Sequence, residues 1–242
     1  MENRFLPLDG LRGLAAIGVL SFHVVVSDTS EFPQLDSLYL LVDFFFVLSG
    51  FVLWPSMPSR TAGLARSSGI FVVKRVFRFW PLVIVSLLLA TFLLQLESDA
   101  LMLRDQWDPP FGYVTGVSAL EKFGIFASAY LLLQIWVPPA LFMNVPLWSL
   151  SAEWFANLIY APLAWLKYSV GILALIAVGY GLLIWGLTSD QDWIGGIGPI
   201  RGSEALGRAL LGFGLGLLIR KHLHQLERFR RWWLLAIALV LI

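Results

Sequence analysis

Long apolar stretches alternate with short polar ones along almost the whole chain, a pattern typical of a protein that crosses a membrane several times. A membrane-spanning helix needs about 20 mostly apolar residues, because the hydrocarbon core is about 30 Å thick. The chain supplies stretches of this kind throughout, although the last one has only about half that length. The apolar runs are Leu11–Val26, Leu38–Trp54, Phe79–Leu96, Gly124–Met143, Leu147–Leu166, Val170–Leu187, Ala205–Ile219 and Trp232–Ile242.

The composition agrees with this pattern. Of the 242 residues, 58% are apolar and 14% are charged, and the mean hydropathy is +0.78. Soluble domains are about 45–50% apolar and about 25% charged. We therefore predict an all-α fold, a polytopic transmembrane helix bundle of about seven to eight apolar segments surrounded by membrane lipid.

No repeat or soluble segment interrupts the pattern, so residues 1–242 are expected to form a single membrane-embedded domain. The final apolar run would end a helix near the bilayer midplane with unsatisfied carbonyl groups. We therefore expect the domain to be incomplete at its C-terminus. The net charge of +1 gives no field that would attract nucleic acid, and the absence of cysteine excludes disulfides and thiolate catalysis.

Basic residues predict the orientation, because Lys and Arg accumulate in short cytoplasmic loops. Segments Ser59–Arg78 and Arg220–Arg231 are both basic, so both are expected to be cytoplasmic loops, as is the N-terminus. Two cytoplasmic loops need an even number of crossings between them, yet five apolar runs lie there. We predict that Gly124–Met143, which Gln134 and two prolines interrupt, is broken or re-entrant rather than a full span.

Two ionisable residues of the first run share one helix face. Arg12 and His23 are eleven residues apart, close to three helical turns and about 16 Å along the axis. An ionisable side chain within the bilayer is a functional candidate, and imidazole suits general-base catalysis near neutral pH. The structural alternative is a buried histidine bonded to a neighbouring helix, with Arg12 extending to lipid headgroups.

The second run contains a carboxylate and a pair of small residues. Asp43 lies among apolar residues and needs a partner, for which His23 is the nearest candidate. Ser49 and Gly50 are small enough to admit another helix or a substrate chain, and helix packing is the favoured interpretation of this pair.

Two further patterns could bind or position a substrate. Arg75 and Arg78 are three residues apart, so two guanidiniums could meet the phosphates of a nucleotide-like donor. The alternative is a topology signal with headgroup contacts. Further along, Ser149 precedes Glu153 by one turn, and Trp148 could equally belong to an interfacial aromatic belt. No metal-ligand set is present, so no metal is expected.

Taken together, four stretches resemble the acyltransferase 3 family of membrane acyltransferases. They occur in the family's order along the chain. The matching segments are LDGLRGLAAIGVLSFH (Leu8–His23), VDFFFVLSGFVL (Val42–Leu53), FVVKRVFRFWPL (Phe71–Leu82) and PLWSLSAEWF (Pro146–Phe155).

The resemblance implies transfer of an acyl group, acetyl by default, from cytoplasmic acyl-CoA to a hydroxyl of a cell-envelope carbohydrate, glycolipid or related acceptor. It implies a bacterial inner (plasma) membrane protein with about ten spans, a cytoplasmic N-terminus and no bound cofactor. It further implies that His23 is catalytic, with Asp43 or Glu153 orienting the imidazole or the acceptor. The residues implied to bind substrate are Arg12, Arg75, Arg78, Ser49, Trp148 and Ser149.

Two other functional classes remain compatible with the same residues. A transporter or flippase of a lipid-linked sugar would use intramembrane charges as a substrate pathway, and would be expected to carry inverted repeats and paired broken helices. The sequence shows no repeat and one broken segment. A non-catalytic scaffold that senses acyl donors is the third possibility.

Overall fold

The computed structural model describes residues 6–26, 33–53, 63–102, 118–137, 144–163, 168–188 and 202–223. Within these ranges regular structure is helical and no strand occurs, which confirms the predicted all-α fold. The predicted run Trp232–Ile242 lies outside the described residues. The elements are α1 (Leu6–Val26), a 3₁₀ helix (Pro33–Leu40), α2 (Leu41–Leu53), α3 (Leu64–Met102), α4 (Ala119–Tyr130), α5 (Leu147–Leu163), α6 (Tyr168–Thr188) and α7 (Gly202–Lys221).

Three of the described helices are long and apolar enough to cross a membrane. The qualifying stretches are Leu64–Leu93 of α3, Ser169–Gly186 of α6 and the whole of α7, and a shorter apolar helical stretch covers Ser37–Leu53. Much of the large apolar surface points away from the protein, as at Phe77, whose exposed fraction is 76%. Lipid tails can cover such an apolar surface, whereas its exposure to water would be unfavourable.

Helix α3 corrects one sequence-based prediction. The basic segment Ser59–Arg78 was expected to be a loop, but it is helical from Leu64 onwards and continues into the apolar part of α3 without a break. Lys and Arg are good helix formers, so positively charged residues can end an apolar run without ending the helix. The helix begins directly after Gly63, whose φ of 81° lies in the left-handed region.

The chain divides into two compact units. The first combines Met1–Ser56 with Leu211–Ile242, and the second is Met57–Leu210. In the first unit, α1 packs against the 3₁₀ helix and α2, with Gly18 of α1 lying against the side chain of Leu41.

Glycines allow α2 and the second half of α7 to meet at backbone distance. A Cβ atom on Gly50 would overlap the carbonyl oxygen of Phe213, and one on Gly216 would overlap that of Val47. A Cβ on Gly212 would lie 2.7 Å from the Cβ of Phe46. Gly212 and Gly216 form a Gly-x-x-x-Gly pattern, which lets membrane helices approach closely. The prediction that Gly50 serves helix packing is therefore confirmed.

Replacement of Gly216 by alanine should destabilise the protein, because the new methyl group meets backbone that cannot move aside. Overpacking of this kind costs about 1–3 kcal/mol. The measurement is thermal unfolding of the purified protein in detergent.

Gly181→Ala on α6 is the matched control, because nothing lies within 4 Å of the position of its Cβ. Alanine there should be neutral or stabilise the helix by up to about 1 kcal/mol. Equal melting temperatures for the two variants would contradict the close backbone contact.

Candidate active site

Arg12 and His23 lie on one uninterrupted helix, α1, as their spacing requires. Arg12 makes an ion pair of 3.7 Å with Asp9, one turn earlier. His23 occupies the last turn of α1, is half-buried, and meets the ring of Phe22 edge to face at 5.3 Å between centroids. Phe22 in turn contacts Tyr39 of the 3₁₀ helix at 6.2 Å. The imidazole therefore lies where α1 packs against the segment that leads into α2.

Asp43 and Ser49 belong to α2. Asp43 lies in its first turn and is half-buried, and Ser49 is buried beside the glycine contact of Gly50. The predicted partnership of Asp43 with His23 stays a prediction.

Helix α3 buries one residue in every four along a stripe that faces the protein. Arg75 belongs to this stripe and is only 6% exposed, whereas Arg78 lies outside it and is exposed. The two guanidiniums therefore differ in exposure, and their predicted binding of donor phosphates stays a prediction. Residues three apart on a helix are separated by about 300° of rotation, whereas the stripe repeats every four residues. The stripe therefore includes Arg75 and leaves Arg78 outside it. The stripe consists of Ser67, Phe71, Arg75, Phe79, Val83 and Leu87.

The predicted Trp148–Glu153 pattern forms the first turns of α5. Trp148 is buried at 7% exposure, and the guanidinium of Arg208 lies 5.3 Å above its ring. The Ser149 hydroxyl donates to the carbonyl of Pro146 at 3.0 Å, so this hydroxyl closes the start of the helix. Glu153 is half-buried one turn later.

Helices α3 and α5 pack against each other in antiparallel directions, since later residues of α3 meet earlier residues of α5. The interface is rich in aromatic rings, which prefer edge-to-face contacts. The contacts are Ser68 Oγ to the Ala161 carbonyl at 3.2 Å, Phe71 to Tyr160 at 5.8 Å, Phe79 to Trp154 at 6.3 Å and Trp80 to Trp154 at 4.9 Å, the last three between ring centroids.

The predicted interruption of Gly124–Met143 is present in the described part of this segment. Helix α4 starts with a capping box in which Ser118 donates to the Glu121 carboxylate and holds its pKa below the usual value. It ends at Tyr130 after 12 residues, which is too short for a span. The break thus comes before Gln134, and the two prolines of this run lie outside the described residues.

The end of α4 is a Schellman motif with an unusual residue. Leu132 has φ 57°, a left-handed conformation that normally favours glycine. Its N–H donates to the Ala129 carbonyl at 3.2 Å, and that of Leu133 donates to the Ser128 carbonyl at 2.9 Å. Leu132 is fully buried, so packing of its side chain offsets the backbone strain.

The side chain of Ser151 links α5 to the non-helical residues that follow α4. Its hydroxyl donates to the carbonyl of Leu132 at 2.6 Å and accepts a longer contact from the Ile135 N–H at 3.5 Å. Gln134 is also buried, and its amide donates to the Ala129 carbonyl at 3.0 Å. The break and the Trp148–Glu153 segment therefore form one local structure.

Sequence reasoning missed two polar residues of the second unit, the half-buried Arg208 and the buried Asn157. Arg208 lies inside the apolar run of α7, and an intramembrane arginine was the signal that could have found it. Asn157 of α5 is 1% exposed, and an amide in an apolar run is a weaker signal of the same kind.

The structure groups the predicted site residues by unit. Arg12, His23, Asp43 and Ser49 belong to the first unit, and Arg75, Arg78, Trp148, Ser149 and Glu153 belong to the second. Within the second unit, the antiparallel packing of α3 on α5 places Arg75 and Glu153 on two facing helices.

Comparison with known proteins agrees with these motifs. A family model described as an acyltransferase domain, acyltransferase 3, matches residues 6–242. The chain belongs to the acyltransferase 3 family. It is also similar to "Protein 2 in picA locus" of Rhizobium radiobacter, at 33% identity over 190 residues, which cover 73% of this chain and 92% of that protein. No solved structure matches.

Family membership makes the protein a membrane acyltransferase and decides between the functional classes. The alternatives of transporter and scaffold rested on the same intramembrane charges, and the family match favours neither.

Ser151→Ala should destabilise this acyltransferase by about 1–3 kcal/mol, because the buried Leu132 carbonyl loses its side-chain donor. Thermal unfolding in detergent measures the effect. Ser128→Ala is the control, since its hydroxyl bonds an exposed carbonyl of its own helix, that of Gly124, at 2.7 Å. An equal loss in both variants would contradict a special role for Ser151.

Proposed function

We propose that this acyltransferase moves an acyl group, acetyl by default, from cytoplasmic acyl-CoA to a hydroxyl of a cell-envelope carbohydrate or related acceptor. The observation that carries the proposal is the packing of α3 along α5, which brings the basic motif of Arg75 and Arg78 beside the Trp148–Glu153 motif. Cations suit the phosphates of CoA, and a neighbouring carboxylate suits the positioning of a polar acceptor.

His23 is the proposed general base. Its ring nitrogen takes the proton of the acceptor hydroxyl while that oxygen attacks the thioester carbonyl carbon. The carbon–sulfur bond then breaks, and the departing CoA thiolate recovers the proton, giving an ester and free CoA. Asp43 or Glu153 orients the imidazole or the acceptor.

The remaining predicted residues have supporting roles in this proposal. Arg12 lies at the cytoplasmic end of α1 and adds positive charge to the path of the donor. Ser49, Trp148 and Ser149 line the route of the substrates. In this orientation the N-terminus and the basic last turn of α7 face the cytoplasm of a bacterial inner membrane.

His23→Ala should lower acyl transfer by about 10²–10⁴-fold, the usual contribution of a general base. The purified protein, in nanodiscs, is incubated with isotope-labelled acetyl-CoA and a panel of polysaccharide and glycolipid acceptors. Release of free CoA and transfer of label to the acceptor are both measured.

His222→Ala is the matched control, since this second histidine lies at the end of α7 with Nδ1 3.0 Å from the carbonyl oxygen of Leu218. It should transfer at the rate of the wild type. Wild-type transfer by His23→Ala, with the protein present in the membrane at normal levels, would refute the catalytic role.

A further inference from the structure

Arg75 is buried in a place where its charge must be balanced by the protein. It is 6% exposed, and its guanidinium lies 5.1 Å above the ring of Phe71 on the preceding turn. The like charge of Arg78 acts against it. A ring face alone compensates a buried cation incompletely, because removal of a guanidinium from water costs several kcal/mol. An anion or strong acceptors are therefore needed nearby.

The ring contacts define what stands opposite Arg75. Phe71 meets Tyr160, and Phe79, eight residues later, meets Trp154. Because the helices are antiparallel, Arg75, midway between the two phenylalanines, lies opposite the turn of α5 between Trp154 and Tyr160. The electrostatic interactions of Arg75 with Glu153 and Tyr160 agree with this register.

Asn157 occupies that turn. It follows Glu153 by four residues and precedes Tyr160 by three, so all three side chains share one face of α5. Its amide nitrogen donates to the Glu153 carbonyl at 2.7 Å, whereas its Oδ1 atom is buried with no hydrogen-bond partner among the described residues. A buried acceptor without a donor costs about 1–3 kcal/mol, and Arg75 is a source of donors on the facing helix.

Arg78 has a different environment. It lies outside the buried stripe and is exposed, as is Lys74 on the other side of Arg75. A ligand that carries phosphates can reach an exposed guanidinium without displacing protein groups. It could reach Arg75 only by removing the packed rings around it.

We propose that the two arginines have separate tasks: Arg75 is a positioning residue held by Glu153 and Asn157, and Arg78 is the guanidinium that meets the donor phosphates. In this proposal the guanidinium fork faces the Glu153 carboxylate and the unsatisfied Asn157 Oδ1 across the α3–α5 interface, and its attraction to both keeps the carboxylate at that interface. The assignment of Arg78 to phosphate rests on the proposed function, whereas the pairing of Arg75 does not.

The first test compares Arg75→Gln with Arg78→Gln, using acetyl-CoA and acetyl-dephospho-CoA, which lacks the 3′-phosphate. Arg78→Gln should raise the KM for acetyl-CoA by about tenfold, equivalent to about 1.4 kcal/mol, with little change in kcat. It should also reduce the preference for acetyl-CoA over the dephosphorylated donor. Arg75→Gln should lower kcat and keep both the KM and that preference within about twofold.

The opposite pattern would overturn the division of tasks. If Arg75→Gln raises the KM for acetyl-CoA and removes the preference for the 3′-phosphate, Arg75 is itself a phosphate ligand. A purely structural role for Arg75 would lower the amount of folded enzyme without changing kcat per folded molecule.

The second test needs no turnover. Arg75→Gln, Glu153→Gln and the double variant are compared by thermal unfolding in detergent. Each single change removes one member of the proposed pair and leaves the other charge without it, so the double variant should lose less stability than the sum of the single losses. Arg78→Gln combined with Glu153→Gln is the matched control and should be additive.

Asn157→Leu and Asn157→Asp complete the second test. Leucine deletes the acceptor oxygen and should lower kcat and stability, whereas aspartate retains an oxygen for Arg75 and should preserve more of both. Additivity of Arg75→Gln and Glu153→Gln would overturn the pairing. A wild-type protein that is inactive on acetyl-CoA, with the coupling intact, would instead refute the proposed donor.

Discussion

The constraint that shapes this protein is that a polar group surrounded by apolar residues and lipid must find its partner inside the protein. Helices meet this requirement for the backbone, which explains why the described residues are helical. Where α4 stops, the freed groups are satisfied by a Schellman motif and by the Ser151 hydroxyl. In our proposal the buried guanidinium of Arg75 obeys the same rule through residues of the facing helix α5.

The same constraint explains the choice of small residues in the first unit. Two helices in an apolar environment gain little from hydrophobic burial and depend on close packing instead. Gly50, Gly212 and Gly216 remove the side chains that would keep α2 and α7 apart, so the two backbones touch. The Ser-Gly pair of the family motif therefore has a structural task at its glycine, and Ser49 is buried beside that contact.

Sequence patterns predicted the parts of the fold that depend on composition along one helix. An apolar run overlaps each of the seven described α-helices, and the parity of basic segments singled out the broken run around α4. The start of α3 at Leu64 was not predictable from hydropathy, because basic residues continue a helix as well as apolar ones. The break at Leu132 was equally hidden, since a leucine seldom adopts the left-handed conformation that closes the motif.

The candidate site shows the same limit, because it depends on which residues of two helices stand opposite each other. From their spacing alone, Arg75 and Arg78 would be assigned the same role, since both could face one phosphate. Packing against α5 makes them different: one is buried opposite a carboxylate and an amide, and the other stays accessible. In our proposal, a two-arginine motif in a membrane helix joins a ligand-binding cation to a cation that organises the protein. The register of the facing helix, rather than the motif itself, then decides which arginine has which task.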